Sequence, residues 1–395
     1  MIRKTGGGAL RRFLAMLLVL NALLSAASAE KMITLTFTGD CTLGGVESSR
    51  SADNAFDAFA EQKGYGWFFA NLRDVFAADD CTVINLEGVL SDSTAGMNSA
   101  RNVLFRGPSA FAGILTEGSV ELAGLGNDHI TDYQQTGLNA TKDALSSAGI
   151  AWAYGSEPWI LEKDGIRIAF FSIDTQLVNT RGKAIRDRIT AMKRDGEVSA
   201  VVALIHNGRD YDPRHSPTQE KIGQTFAAAG ADLVIMNCGH AVQGVEIAEN
   251  RSIFYCLGNF AYGGNREIRT NPYRGGRTVN SLYALAVQAR LYFRNSGAYD
   301  GQQIVLLPLH SSGTDPANNY QPRRLTVAEA EAVRDAVQFD SDHVEIPAVE
   351  ADEEGLARIV MPFLPPAEGE GQAGAAEDGM PEPPPSRPDR ETRGR

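Results

Sequence analysis

The chain has 395 residues, of which 43% are hydrophobic and 22% charged, and this ordinary globular composition allows one large core or two modest domains. Lys and Arg number 37 against 49 Asp and Glu, which gives a formal net charge of −12 at pH 7. Nucleic-acid binding depends on Lys and Arg that neutralise phosphates, so no nucleic-acid partner is expected for this acidic chain.

The N-terminus has the pattern of a targeting segment. Four basic residues precede an apolar run over residues 13–24, and small residues that end in Ala-Ser-Ala follow. This order predicts a signal peptide over residues 1–29, cleaved after Ala29, and a secreted or extracytoplasmic protein associated with the cell envelope. The apolar run is shorter than the roughly 20 residues that cross a bilayer. A retained N-terminal anchor is the alternative. In either case we expect the protein to contact the membrane only through this segment.

Apolar runs and helical patterns alternate through the first 240 residues. Gly64 and Gly66 interrupt a helical pattern over residues 55–78, Gly149 ends a second one that starts at residue 136, and a third covers residues 216–229. This alternation predicts an α/β fold. The predicted strands are KMITLTFTGD (31–40), CTVINLEGVL (81–90), SVELAGLGN (119–127), IRIAFFSID (166–174), VSAVVALIH (198–206) and ADLVIMN (231–237).

Beyond Val245 the pattern changes to antiparallel strand pairs. Residues 245–260 contain a turn at Asn250, and residues 281–293 and 302–310 are predicted as a second pair. A helix is predicted from residue 326, where Thr and a Glu three residues later have the spacing of a capping box. We predict one folded domain over residues 30–355. Residues 356–395, rich in Pro, Gly and Glu, are predicted to be a disordered tail.

Strand after strand ends in residues that bind metal ions or move protons. Ligands of open α/β sheets bind beyond the carboxyl ends of the strands, so these side chains are expected to converge. A buried acidic cluster needs a counter-charge, and mixed carboxylate and imidazole ligands favour one or two divalent ions such as Mn, Zn or Fe over Ca. The strand-end residues are Asp40, Asn85, Glu87, Asp128, His129, His206 and His240.

Each of these residues also has a purely structural explanation. Asp40 fits a turn-capping role, and Glu87 fits a solvated strand end. A histidine that ends an apolar strand fits a hydrogen-bonded core position, which applies to His206 and His240. The four cysteines match no small disulfide scaffold, and small buried residues are the alternative to disulfides. Three other histidines lack a comparable context and are interpreted as structural: His215, His310 and His343.

The motifs around these residues resemble one family. In chain order they are TGD, NLEG, GNDHITDYQQTGL, IHNGRDYD, AGADLVIMNCGHAVQGVEI and IFYCLGNFAYG. Their order and spacing over residues 34–263 resemble the CapA-type poly-γ-glutamate capsule biosynthesis proteins, within the calcineurin-like metallophosphatase superfamily. The resemblance implies a four-layer α/β/β/α sandwich with mixed sheets. It also implies a metal site at the carboxyl ends of the strands.

The resemblance implies a role for each matching residue. His129 matches a general acid or phosphate-stabilising histidine, and Asp132 matches a carboxylate that orients it. The implied metal ligands are Asp40, Glu87, His206 and His240. Residues assigned to substrate contacts are Asn85, Arg209 and Asn259.

Three positions depart from the family pattern. Asp128 stands where Asn is usual, and it remains a competent and more negative candidate ligand. Cys238 stands where the first His of a His-x-His motif is usual, so its thiolate either replaces the imidazole as a ligand or marks a lost second metal site. Asn207 replaces a usual Trp, which leaves the substrate contacts open.

These features predict an exported metal-dependent hydrolase or transferase of capsule or cell-envelope polymer biosynthesis, using metal-activated water with His129 as acid or stabiliser. The expected partner is an anionic cell-envelope polymer or its synthase complex. The alternative is a non-catalytic polymer-binding or capsule assembly and export factor with a degenerate metal site. A third possibility is a redox or disulfide pair of Cys41 and Cys238. Basic residues available to an anionic polymer in the second case are Arg209, Arg214, Arg266, Arg274 and Arg277.

Overall fold

The structure is a computed structural model that describes residues 31–264, 270–272, 278–312 and 317–368. The predicted signal peptide lies outside the described residues, as does the chain from residue 369 onward. Helices and mixed sheets alternate, so the predicted α/β class is confirmed. None of the helices in these described ranges has the length and apolar content that crossing a bilayer requires.

Twenty-one strands, numbered in chain order, form two large and two small sheets in the described residues. The larger sheet contains β1 (Lys31–Thr42), β3 (Cys81–Leu86), β6 (Leu122–Gly124), β7 (Ala151–Ala153), β14 (Asn259–Tyr262), β17 (Tyr283–Phe293), β18 (Tyr299–His310), β19 (Arg323–Arg324), β20 (Glu350–Ala351) and β21 (Ala357–Val360). The second sheet contains β8 (Trp159–Lys163), β9 (Ile166–Asp174), β10 (Ala200–His206), β11 (Leu233–Asn237), β12 (Val245–Ala248) and β13 (Arg251–Phe254). The small sheets contain β2 (Gly45–Val46), β4 (Val89–Leu90) and β5 (Phe105–Gly107), and β15 (Thr270–Pro272) and β16 (Thr278–Asn280).

Seven α-helices accompany these strands in the described ranges. They are α1 (Phe56–Lys63), α2 (Arg73–Ala77), α3 (Ala112–Glu117), α4 (Gln134–Ser147), α5 (Thr175–Arg194), α6 (Pro217–Ala228) and α7 (Val327–Phe339).

Each large sheet has a parallel block flanked by antiparallel strands. The strand order of the larger sheet is β20-β21-β18-β17-β1-β3-β6-β7, with β1, β3, β6 and β7 parallel and β14 also parallel to β1. In the second sheet the order is β12-β13-β11-β10-β9-β8, with β13, β11, β10 and β9 parallel. The parallel blocks therefore bring the carboxyl ends of several strands to one edge of each sheet.

Three hydrophobic clusters fill the space around the two sheets. One contains residues of both sheets, such as Leu35 of β1 and Phe170 of β9. A second joins the larger sheet to α1–α4 and includes Leu138, and a third joins Phe171 of β9 to Ile185 of α5. Neighbouring β9 residues thus point to different clusters, as expected for a strand buried on both faces. The four-layer order stays a prediction, which this distribution supports.

The predicted elements correspond closely to those observed. The capping box at the start of α7 is present, and Glu249 and Asn250 have positive φ angles in the tight turn between β12 and β13. The sequence interpretation missed α5, a 20-residue helix between β9 and β10. Its residues are mostly polar, with a glycine at position 182, but Ile185, Ile189 and Met192 lie buried on one side, and the crossover between parallel strands requires such an element.

The boundary predicted after residue 355 is too early. β21 pairs with β18, and Gln302 and Leu364 exchange two backbone hydrogen bonds of 2.9 Å. Folded chain therefore continues into the segment predicted as a disordered tail. The prediction failed because β21 has only four residues, and the Pro, Gly and Glu beyond them dominated the composition of the segment.

Asp79, at the end of the larger sheet where β3 begins, offers a stability test. One of its oxygens accepts a 2.7 Å hydrogen bond from Thr82, and the other is buried without a partner among the described residues. Burial, assisted by the negative charges of Glu121 and Asp80, raises the pKa of Asp79 from 3.8 to about 7. The folded state therefore holds a proton that the unfolded state has lost between pH 4 and 7, so stability falls as the pH rises through this window.

We expect Asp79→Asn to stabilise the protein at pH 8 by about 1–3 kcal/mol, after discounting for partial exposure, and by only about a third of that at pH 5. The measurement is the free energy of unfolding in urea at both pH values. Asp53→Asn, at an exposed position, is the matched control. Equal effects of Asp79→Asn at the two pH values would contradict the prediction.

Candidate metal centre

The predicted ligand residues lie where parallel strands of both sheets end. Asp40 lies in β1, in register with Asn85 of β3 and with Asn259 of β14. His206 is the last residue of β10, and the neighbouring strand β11 leads into the turn that bears His240. The strand register therefore sets the relative positions of these side chains.

The glycine before Asp40 explains part of the TGD motif. A Cβ atom at Gly39 would lie 1.9 Å from the carbonyl oxygen of Gly258, so only glycine fits there. The close approach allows the backbone N–H of Asp40 to donate a 2.9 Å hydrogen bond to the same oxygen. It holds β1 against the turn that precedes β14, which begins with Asn259.

Two groups of three side chains bring their ligand atoms within 4.8 Å of one another. The first consists of Asp40, Glu87 and His240, and the second of Glu87, Asp128 and His206. Glu87 belongs to both groups. Five of the six predicted metal ligands therefore meet here, as an imidazole and carboxylate set of the kind that Mn, Zn and Fe bind.

Glu87 fits a position beside a cation. Its side chain is 1% exposed, and neither carboxylate oxygen has a hydrogen-bond partner among the described residues. Burial, together with the negative charge of Asp40, raises the pKa of Glu87 to about 7. For Asp40 itself, burial acts in the same direction, but His240 and His206 outweigh it and hold the pKa below the ordinary value. A buried carboxylate without hydrogen bonds is costly unless a cation compensates it, so these residues fit a divalent ion.

His240 is oriented through one of its ring nitrogens. Its Nδ1 lies 2.9 Å from Asn259 Oδ1 and 3.1 Å from Asp40 Oδ2, while Nε2 is 3.8 Å from Glu87 Oε1. A histidine held by protein acceptors at one nitrogen can present the other to an ion. Asn259 therefore orients His240 here, a role different from the substrate contact predicted for it.

His206 and Asp128 have the spacing of two ligands of one ion. His206 Nε2 lies 3.1 Å from Asp128 Oδ1. Ligands that are each about 2.1 Å from an ion at roughly tetrahedral or octahedral angles lie about 3.0–3.4 Å apart. The Nδ1 atom of His206 is 3.2 Å from Asn85 Nδ2, which also donates a 2.7 Å hydrogen bond to Asp40 Oδ1. Asn85 is thus engaged by protein groups, which favours a positioning role over the predicted substrate contact.

His129 and Asp132 form the predicted pair. His129 Nδ1 lies 2.8 Å from Asp132 Oδ2, and its Nε2 lies 3.8 Å from Glu87 Oε1. Asp132 is fully buried and also accepts hydrogen bonds from the Phe105 backbone N–H at 2.6 Å and from Arg101 at 2.7 Å. Burial opposes protonation of His129, but Asp132 and the nearby carboxylates outweigh it, so the pKa of His129 is raised.

Cys238 belongs to neither metal-binding group, although it lies beside His206. Its thiol is 3.8 Å from the carbonyl oxygen of Gly208. Cys238 and His240 have φ angles of 114° and 49°, a left-handed conformation that costs energy for residues other than glycine and often marks functional turns. Cys41 is free, as are the other three cysteines, so the structure does not contain the disulfide that the third possibility allowed between Cys41 and Cys238.

Only two of the five arginines predicted to bind an anionic polymer lie in the described residues. Arg209 is exposed, and no hydrogen bond or ion pair joins its side chain to another described residue. Arg214 lies 3.6 Å from Asp342 and over the ring of Phe339. The other arginines of the prediction lie outside the described residues: Arg266, Arg274 and Arg277.

Several residues of the site were missed by the sequence interpretation. Asn127 is fully buried and donates a 2.7 Å hydrogen bond to the Leu86 carbonyl, and its Oδ1 has no partner in the described chain. Phe105 packs against His129 with ring centroids 4.2 Å apart, and Tyr262 packs against His240 at 5.2 Å. Asn127 is recognisable from the same motif as His129. The two aromatic residues carry no local signal, because only the folded chain brings them to the site.

Asp340, which follows α7, holds two turns near the metal centre. It accepts hydrogen bonds from the backbone N–H of His215 and of Gly244, at 3.0 and 2.8 Å, and lies 2.9 Å from His215 Nδ1. These contacts tie the segments that follow His206 and His240 to the C-terminal helix. His215 therefore has a structural contact, in line with its interpretation from the sequence.

We expect Asp340→Asn to lower stability by about 1–3 kcal/mol, because the donors of His215 and Gly244 would lose their charged acceptor. Divalent-metal affinity should fall about tenfold, since both turns would be less restrained. Urea unfolding and metal titration measure the two effects. Asp342→Asn, whose side chain is 67% exposed, is the control. Unchanged metal affinity in Asp340→Asn would show that these contacts do not position the ligands.

Comparison with known proteins identifies the family. Residues 34–263 match the family model described as "Bacterial capsule synthesis protein PGA_cap". The chain belongs to this family. The predicted resemblance to CapA-type proteins is thereby confirmed.

Individual relatives of this PGA_cap chain are distant. The capsule biosynthesis protein CapA of Bacillus anthracis is 22% identical over 257 residues, covering 59% of this chain and 60% of the relative. The PGA biosynthesis protein CapA of Bacillus subtilis (strain 168) is 21% identical over 258 residues, covering 59% of this chain and 64% of the relative. The match thus spans about three fifths of the length of each relative. A hypothetical protein of known crystal structure from Thermus thermophilus has a TM-score of 0.42 at 12% identity, covering 70% of this chain and 99% of that one.

Proposed function

We propose that this PGA_cap protein is a metal-dependent hydrolase or transferase of poly-γ-glutamate capsule biosynthesis at the cell envelope. The observation that carries the proposal is the carboxylate of Glu87 shared between two groups of metal-ligating side chains. A shared carboxylate is the usual bridge of a two-metal site. Membership of the capsule synthesis family and the names of the CapA relatives support the biological role.

The chemistry follows from the residues of the two groups. Asp40 and His240 would hold one ion, Asp128 and His206 a second, with Glu87 between them. A bound Mn, Zn or Fe ion polarises a phosphoryl or carbonyl oxygen and makes water a better nucleophile at neutral pH. The burial of Asp40 and Glu87 keeps bulk water away from these ligands and fixes their positions.

His129 supplies the proton chemistry in this proposal. Its Nε2 faces Glu87 and Asp128, at 3.8 and 3.7 Å, while its Nδ1 is held by Asp132. The raised pKa keeps the imidazole protonated closer to neutral pH. His129 is therefore placed to donate a proton to a leaving group or to stabilise negative charge that develops beside the ions.

The test uses the purified protein from residue 30 to its C-terminus. We expect it to bind one or two equivalents of Mn or Zn, measured by inductively coupled plasma mass spectrometry. We also expect it to hydrolyse a phosphodiester or phosphomonoester such as a nitrophenyl phosphate, or a γ-glutamyl amide, only when loaded with metal. Absence of any bound transition metal, with no activity after addition of Mn or Zn, would reject the catalytic proposal.

A non-catalytic polymer-binding factor is the second candidate, favoured by the exclusion of Cys238 from both metal-binding groups. The candidates differ in the effect of His129→Ala on capsule polymer production in a deletion strain. Loss of polymer, with normal amounts of the folded variant, supports catalysis. Full polymer production by this variant supports the binding factor.

Export is part of the same proposal. The basic, apolar and small-residue order of residues 1–29 is its support. N-terminal sequencing of the protein recovered from the cell envelope should begin at Glu30. A protein that keeps its first residues and remains attached to the membrane would instead indicate a retained anchor.

A further inference from the structure

Arg101 contacts the acidic side of the metal centre. It lies in the loop between β4 and β5, and its Nη1 donates a 2.7 Å hydrogen bond to Asp132. Its Nη2 lies 3.7 Å from Asp128 Oδ2, too far for a hydrogen bond but close enough for an ion pair. The guanidinium therefore lies between a candidate metal ligand and the carboxylate that orients His129.

Most of the hydrogen-bonding capacity of Arg101 is unused. A guanidinium has five N–H donors, and the bond to Asp132 is its one side-chain hydrogen bond to the described residues. The remaining donors suit an oxyanion, because guanidinium groups bind carboxylates and phosphates through two parallel hydrogen bonds. A purely structural link to Asp132 would require no further donors.

The centre is open to solvent on the side of Arg101. Asp40 and Glu87 are 0% and 1% exposed, whereas the side chains of Arg101 and Asp128 are 30% and 52% exposed. The loop that carries Arg101 is fixed to the His129 turn, since the backbone N–H of Asn98 donates a 2.9 Å hydrogen bond to the carbonyl oxygen of Asp132. A molecule that enters the centre therefore meets Arg101 at the entrance.

We propose that Arg101 binds an oxyanion of the substrate at the entrance of the metal centre, as its specificity-determining cation. Among the described residues, Arg101 is the cationic side chain that contacts this cluster of carboxylates and histidines. Arg209, to which the sequence assigned substrate contact, makes no such contact. The proposal rests on the proposed function and names the chemistry of its substrate: a carboxylate or phosphate group next to the bond that reacts.

The test measures anion binding separately from catalysis. The Mn-loaded protein is titrated calorimetrically with inorganic phosphate and, in a second series, with an oligomer of γ-linked glutamate. Losing hydrogen bonds to a charged group should weaken binding about ten- to a hundredfold in Arg101→Gln. Arg101→Lys, which keeps the charge but loses the planar donor pair, should show a smaller loss. The oxyanion that responds more strongly identifies the substrate group as phosphate or carboxylate.

Arg181→Gln, at an exposed position of α5, is the control for removal of a positive charge. In Arg101→Gln the Mn affinity should not fall, and the thermal midpoint should fall only by the loss of the hydrogen bond to Asp132. If anion affinity is unchanged, or falls only in step with Mn affinity, Arg101 has a structural role and the proposal fails. A larger loss in Arg209→Gln than in Arg101→Gln would also overturn it. Lack of hydrolysis by the unaltered protein would reject the proposed function but not the role of Arg101, because the anion titration needs no turnover. If the protein binds no metal, the titration is repeated without Mn.

Discussion

Replacing Glu87 with Gln is expected to abolish metal-dependent activity and to weaken divalent-metal binding by about a hundredfold or more. Glu87 is the carboxylate common to both ligand groups, so its loss affects every ion held there. Isothermal titration with Mn and a metal-dependent esterase assay measure the two effects. We expect activity to fall by about a thousandfold, to the background of the uncatalysed reaction.

The same substitution should leave the metal-free protein as stable as before, or more stable. Neither oxygen of Glu87 has a hydrogen-bond partner in the described residues, so a neutral amide of equal size removes a buried charge and few contacts. Glu61→Gln, on the exposed face of α1, is the control for both measurements. Parallel loss of stability and metal affinity in Glu87→Gln would show that this carboxylate serves the fold rather than the ions.

Replacing Asp132 with Asn should reduce activity about a hundredfold while metal binding changes little. The two oxygens of Asp132 face three donors, on Phe105, Arg101 and His129. An asparagine has only one side-chain oxygen, so at least one donor would face its NH2 group. Stability should fall by about 1–3 kcal/mol, and His129 should lose its fixed orientation.

The pH dependence separates the two effects of Asp132→Asn. Burial lowers the pKa of His129, and Asp132 contributes to the opposing interactions that raise it. Without the negative charge the imidazole loses its proton at lower pH. The alkaline limb of the rate profile should therefore move to lower pH if protonated His129 is required. Asp143→Asn, at an exposed position of α4, is the control. If activity falls but the pH–rate profile does not shift, the substitution has reduced only the amount of folded protein.

Asp128 is the position where sequence and structure together are most informative. The family resemblance marks it as a departure from Asn, which left open whether the site is intact. In the structure it lies 3.1 Å from His206 and within ion-pair distance of Arg101. Burial would raise its pKa, but these partners and His129 outweigh burial and lower it. The charged replacement is thus accommodated among cationic and metal-ligating groups.

The sequence alone determined the fold class and the longest strands. Buried strands such as β9 and β10 are continuous apolar runs, and their ends carry the polar residues that a site at the carboxyl edge requires. Local signals also located the α7 capping box and the turn at Asn250. The polar helix α5 and the short strand β21 were missed: most residues of α5 are polar, and β21 has only four residues.

Only the tertiary structure decided which strand-end residues lie close enough together to bind one ion and which contact those residues through hydrogen bonds. Strand register places Asn85 and Asn259 beside Asp40, where their amides hold His206 and His240. Arg101 reaches the site through an irregular loop, whose conformation no periodic pattern encodes. Residue types and spacing fix what each strand end can bind, whereas distances between strands far apart in sequence follow from packing of the two sheets.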